Sequence, residues 1–204
     1  MKKKPLALCV ITFLALALAS CGPSSTSTPV QLSPAVAETP PPASQNNPSF
    51  QLSSPAFQAD QLIPVRHACH GENLSPPLTW SGTPPNVKSL ELIMEDPDAV
   101  SVAGLVWDHW ILFNIPAEVT SLVEGIPPDP EMPDGSRQGM TSFRSLGYGG
   151  PCPPGGQTHH YVFTLYALDA PITLEAGASK NDLLLAMEGH ILAQTQLVGV
   201  YTSP

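Results

Sequence analysis

The chain is poor in charge, and poorest in positive charge. Only 12% of its 204 residues are charged, and 8 Lys and Arg stand against 17 Asp and Glu, for a formal net charge of −9. That balance argues against a basic nucleic-acid-binding face and against electrostatic attachment to an anionic membrane. No His-Glu-x-x-His, no His-x-His pair and no Gly-x-Ser-x-Gly elbow occurs, so the common zinc-peptidase and serine-hydrolase signatures are missing. No internal repeat is found. The longest uncharged apolar run, Leu6 to Ala19, is shorter than the roughly 20 residues a membrane-spanning helix needs. What the chain has in quantity is proline, 25 residues of it. Proline inside a helix removes a hydrogen bond and clashes with the preceding turn, so long helices are not expected.

Residues 1–20 read as an export signal: Lys2, Lys3 and Lys4 precede the apolar run, which ends in Leu18-Ala19-Ser20-Cys21-Gly22. Small residues before that cysteine resemble a bacterial lipobox, which implies cleavage before Cys21 and lipidation of its thiol. Loss of the three lysines takes the formal charge from −9 to −12. Anchoring at the bacterial cell envelope is then expected from acyl chains, not from basic residues. Residues 21–48 hold seven prolines, many Ser, Thr and Ala and a single charge, Glu38. Such a segment buries too little apolar surface to offset its ordering entropy, and it is expected to be a disordered tether. The globular domain is expected over 49–204.

Of the four cysteines, Cys9 leaves with the signal and Cys21 takes the lipid. Cys69 and Cys152 remain, an even pair in an oxidising compartment, and a disulfide is expected. Two buried thiols or a metal-ligand pair are the alternatives. Neither residue lies in a Cys-x-x-Cys, so no metal is expected, nor any cofactor.

Within the domain, 90–94, 107–115, 160–168 and 197–201 are rich in branched and aromatic residues and read as strands, with a further extended stretch from Phe50. Pro- and Gly-rich connections fill 125–139 and 147–157. Ser179 can cap a helix over about 180–188, with Gly189 ending it. A short helical turn near 117–122 is a further expectation. Many strands and few helices predict a mainly β domain, an antiparallel sandwich of two packed sheets.

Three segments place polar residues beside apolar strands: Asp96-Pro97-Asp98, Trp107-Asp108-His109-Trp110, and Tyr148-Gly149-Gly150-Pro151-Cys152-Pro153-Pro154 followed by His159-His160-Tyr161. Imidazoles and glycine-loop N–H groups can hold a phosphate or carboxylate, in the manner of a backbone anion nest. Aromatic walls favour an ammonium group. The combination suits a phosphate-bearing or zwitterionic ligand. Of His159 and His160, alternation along a strand lets only one face a given pocket.

These segments, together with Cys69-His70-Gly71-Glu72-Asn73-Leu74-Ser75-Pro76-Pro77-Leu78 and Glu188-Gly189-His190-Ile191-Leu192, closely resemble the phosphatidylethanolamine-binding protein family, in its bacterial Raf-kinase-inhibitor-like branch. The resemblance covers residues 50–203. It implies a β-sandwich with a small anion pocket at one end that binds small phosphate-bearing ligands; with the zinc-peptidase and serine-hydrolase signatures missing, no catalysis is expected. By motif, the implied pocket residues are Asp96, His109, His159 and Tyr161, with Gly150 and Pro151 lining it by their backbone and Trp107 as a wall. Asp98 is implied to hold the loop. The sequence departs from the family pattern at Val100 (usually proline), at His70 (usually aspartate in that branch) and at His160 (usually arginine). Family members described as acting on kinases or on a serine carboxypeptidase imply a second reading, inhibition or regulation of an envelope protease or another protein partner.

Overall fold

The computed structural model describes residues 49–204. The expected export signal with Cys9, the expected lipidation at Cys21 and the expected tether over 21–48 lie outside the described residues. In chain order the elements are β1 (Gln51–Ser53), a 3-10 turn at Val65–His67, β2 (Leu78–Ser81), β3 (Ser89–Asp96), α1 (Val100–Ala103), β4 (Trp107–Pro116), β5 (Ser121–Leu122), β6 (Arg137–Gln138), β7 (Thr158–Leu168), α2 (Lys180–Met187) and β8 (Ile191–Thr202). They form a three-stranded sheet, β1-β2-β5, and a five-stranded sheet, β6-β4-β3-β7-β8. Every strand pair within the sheets is antiparallel. The architecture is the mainly β, two-sheet fold expected from the strand-rich pattern.

Burial on both faces of the large sheet explains its sequence. One face carries Leu90, Leu92, Met94, Leu112, Phe163 and Leu165 against Leu52, Leu78 and Trp80 of the small sheet. The other carries Ile93, Ile111 and Phe113 against Leu183 and Met187 of α2. Strand β3, at the centre, is therefore almost wholly buried and reads as a continuous apolar run instead of an alternation. The exception is Glu91, whose carboxyl accepts from the Ser89 hydroxyl while its second oxygen has no partner. Desolvation raises its pKa to about 8.

Helix α2 forms where its cap predicts. The Ser179 hydroxyl accepts from the Asp182 N–H and the Ser179 N–H donates back to the Asp182 carboxylate, a reciprocal capping box. Gly189, two residues beyond its end, adopts φ 80°. The expected helical turn near 117–122 is not present. Residues 117–118 form a turn and Ser121–Leu122 pair with β2, because sheet pairing there outcompetes weak local helix propensity.

Cys69 and Cys152 are bonded, with Cα atoms 5.5 Å apart and a sequence separation of 83. Both are exposed, which removes the alternative of buried thiols.

Candidate functional site

A fault in the sheet positions the first imidazole. Between β3 and β4 the register runs Met94 opposite Trp110 and then Glu95 opposite Asp108, so His109 is an extra residue with no partner. Such a bulge bends the strand and re-aims the side chain. Neighbours in a regular strand point to opposite faces, yet Trp110 packs in the same core cluster as Tyr161, the ring that His109 meets. The His109 ring meets Tyr161 edge-on at 5.1 Å and Phe143 at 5.2 Å.

His109 Nδ1–H donates to the Gly149 carbonyl at 2.6 Å, leaving Nε2 as the free ring nitrogen. Burial holds its pKa below the usual imidazole range, against the opposing pull of that carbonyl and the nearby Asp96 charge. The ring is therefore neutral near pH 7, with an acceptor at Nε2 that becomes a donor on protonation.

Asp96 closes β3. Its Oδ1 accepts from the Ala99 N–H at 3.1 Å, which holds the turn into α1. Its Oδ2 accepts from His159 Nδ1–H at 2.7 Å, and both residues are buried. His159 Nε2 lies 3.3 Å from the Gln157 amide oxygen. The alternation expected at 159–160 is present, with His159 buried and His160 exposed.

These groups converge. Asp96, His109, His159 and Trp107 line one cavity of about 280 Å³, with Phe143, Cys152, Pro153, Pro154 and the α1 segment completing the wall. It is mostly apolar with a few polar groups, the usual make-up of a small-ligand site. Tyr161 is buried beneath His109 and reaches the site through that ring contact. Burial first, and the Asp96 charge second, raise its phenol pKa, so the hydroxyl remains protonated. Two of the three buried side-chain polar atoms without a partner, among the described residues, belong here: the Tyr161 hydroxyl and Trp107 Nε1. Unpartnered buried donors are uncommon and call for a ligand or water.

Gly150 and Pro151 do not line this cavity. Gly150 donates its N–H to Asn73 Oδ1 at 2.8 Å, and a Cβ at that position would overlap the His67 carbonyl. Pro151 is buried and its carbonyl accepts from the Cys69 N–H at 3.1 Å. The Gly149 N–H is engaged with the His109 carbonyl. The glycine run thus allows close packing of chain on chain, and no free anion nest forms at Gly149 and Gly150. Cys152, Pro153 and Pro154, further along the same loop, supply the wall instead.

Sequence reasoning missed three contributors. Phe143 packs edge-on against both Trp107 and His109, but it sits in a turn-rich stretch with no motif to flag it. Val102 and Ala103 of α1 roof the cavity, a four-residue helix with two β-branched valines and no side-chain cap. Lys180 bridges Glu95 at 2.6 Å and Asp108, the residues immediately before Asp96 and His109, and so braces both site strands. Asp98 does hold the loop, through His160, at two contacts of 2.8 Å.

Residues 53–202 match the family model described as phosphatidylethanolamine-binding protein. A UPF0098 protein of Methanothermobacter thermautotrophicus is 53% identical over 152 residues, covering 74% of this chain and 98% of that protein. The crystal structure of Escherichia coli YbcL, titled a new member of the mammalian PEBP family, aligns with a TM-score of 0.70 at 34% identity, over 76% of this chain and 99% of that one. A phosphatidylethanolamine-binding protein homologue from Chlamydia trachomatis aligns with a TM-score of 0.69 at 39% identity, over 76% of this chain and 98% of that one. With relatives matched along nearly their whole length and the same two-sheet fold, the chain belongs to the phosphatidylethanolamine-binding protein family.

Proposed function

We propose that the domain is a non-enzymatic binding protein. It captures a small phosphate-bearing or zwitterionic ligand in the Asp96–His109–His159 cavity and is held at the cell envelope by lipid on Cys21. The observation that carries this reading is the set of polar groups gathered at one cavity. An imidazole with a free Nε2, a buried carboxylate–imidazole pair and the unpartnered Trp107 Nε1–H line one apolar cavity, and Tyr161, whose hydroxyl is also unpartnered, packs against the His109 ring behind it. That chemistry suits an acceptor-rich group such as phosphate. The indole of Trp107 offers a face to an ammonium group. The lining holds no serine, threonine or lysine, and its one cysteine is disulfide-bonded, so hydroxyl, amine and free-thiol nucleophiles are missing from it.

Calorimetric titration with phosphoethanolamine and inorganic phosphate tests the pocket. Saturable binding at or below millimolar ligand, lost in His109→Ala, is expected. Binding that survives His109→Ala unchanged, or no heat at millimolar ligand, overturns it. Mass spectrometry of the mature N-terminus tests the anchor separately: a diacylglyceryl-modified Cys21 is expected, and an unmodified one refutes lipid anchoring.

A further inference from the structure

The disulfide has a third potential metal donor beside it. His70 Nδ1 lies 3.3 Å from Cys69 Sγ. The donor atoms of Cys69, His70 and Cys152 all fall within 4.8 Å of one another, and all three residues are exposed. Two backbone features keep this set together without the covalent bond. The Cys69 N–H donates to the Pro151 carbonyl, and the Gly150 N–H donates to Asn73 Oδ1. The 69–74 loop and the 150–152 loop are therefore hydrogen-bonded on both sides of the sulfurs. The His70 ring also stacks on Tyr201, with centroids 6.4 Å apart, which limits its freedom to swing away.

We propose that reduction converts this bond into a three-ligand site for a thiophilic divalent cation of the zinc type. A dithiol reductant supplies two electrons and two protons, is itself oxidised to a disulfide, and leaves Cys69 and Cys152 as thiols. The cation then displaces both thiol protons to solvent and takes two thiolates and neutral His70 Nδ1. The fourth, tetrahedral position stays open to water. Cα atoms 5.5 Å apart suit two thiolates on one tetrahedral ion as well as they suit a disulfide. Cys152 is also part of the ligand-cavity wall. The metal therefore restores, under reducing conditions, the tie between that wall and the 69–74 loop. The site is separate from the Asp96–His109–His159 cluster and does not depend on what the cavity binds.

The test uses the full-length chain with Cys9→Ser and Cys21→Ser, so that Cys69 and Cys152 are the only thiols. Protein reduced with a phosphine and freed of reductant is titrated with Zn²⁺ against a chromogenic chelator, and with Co²⁺ by absorption spectroscopy. The expected result is one Zn²⁺ per chain, at least 100-fold tighter than in the disulfide form, with thiolate-to-cobalt charge-transfer bands. His70→Ala, which keeps both cysteines and the disulfide, should weaken Zn²⁺ binding at least tenfold. Binding by the reduced protein no tighter than by the oxidised protein overturns the site. So do the absence of thiolate bands and an unchanged affinity in His70→Ala. Circular dichroism of the reduced protein with and without Zn²⁺ is read alongside; an unfolded reduced chain that Zn²⁺ does not refold also overturns it.

Discussion

Asp98 accepts two hydrogen bonds from His160, one from its backbone N–H and one from ring Nδ1, each 2.8 Å long. His160 stands where the family pattern usually has arginine, and the contact is made all the same, by a shorter side chain helped by its own main chain. The turn before α1, which roofs the cavity, is held at this point. The two hydrogen bonds, backbone first, hold the Asp98 carboxyl below its usual pKa. The sign for stability follows: this contribution is present above the unfolded pKa of Asp and is lost as pH falls through the lower folded value. Asp98→Ala should cost about 1 kcal/mol and speed amide exchange over residues 99–103. His160→Arg should leave both unchanged. Hydrogen exchange by mass spectrometry decides it, and unaltered exchange in Asp98→Ala would remove the role.

His109 makes phosphate binding depend on pH. Its depressed pKa leaves Nε2 an acceptor near neutrality, and an anion gains a donor there only when the ring protonates. Phosphate affinity should therefore rise several-fold as pH falls from about 7.5 to about 5.5, the side of the ordinary imidazole range where protonation sets in. The unliganded domain should respond oppositely. A histidine whose folded pKa is depressed costs stability as pH drops below its unfolded value. Calorimetry across that window measures the first effect and chemical denaturation the second. His109→Gln should flatten the histidine-specific part of both, and an affinity that falls with pH contradicts the assignment.

Glu91 sets a second pH dependence. It is buried in the central strand with a pKa raised to about 8, chiefly by desolvation. Between the unfolded and folded values the unfolded chain releases a proton that the folded chain keeps, so stability falls as pH rises through that window. At 1.36 kcal/mol per unit the loss reaches about 4–5 kcal/mol above the upper end. Glu91→Gln keeps the shape without the titration. It should match the native chain near pH 4.5 and exceed it in stability by several kcal/mol near pH 8.5. Parallel urea curves at the two pH values that show no change in the difference would refute this.

Much of this molecule was legible because apolar β-branched and aromatic residues cluster wherever a strand is covered. β4 and β7 were recognisable at nearly their full length for that reason, and β3 over its apolar middle. The first half of β8 was not. Its Ala-Gln-Thr-Gln stretch is half exposed on the sheet edge, so it lacks the signal that burial leaves in sequence. Helix α2 announced itself through Ser179 and Asp182, whereas α1 has no capping side chain to find. Asp96, His109 and His159 were identifiable because motif order survives folding. Phe143 and Lys180 reach the site across long sequence separations through contacts that no local pattern encodes. Gly150 and Pro151 were misplaced because a glycine read from sequence signals close approach without saying to what.

The unpaired position of His109 separates two properties that usually share a residue. A side chain belonging to the ladder carries part of the cohesion of its sheet; a supernumerary one does not. Its neighbours Asp108 and Trp110 already complete the pairing with β3, so chemistry at position 109 is free to drift without unzipping the central strands. A substitution at position 109 can therefore change what the cavity recognises while the β3–β4 ladder stays whole.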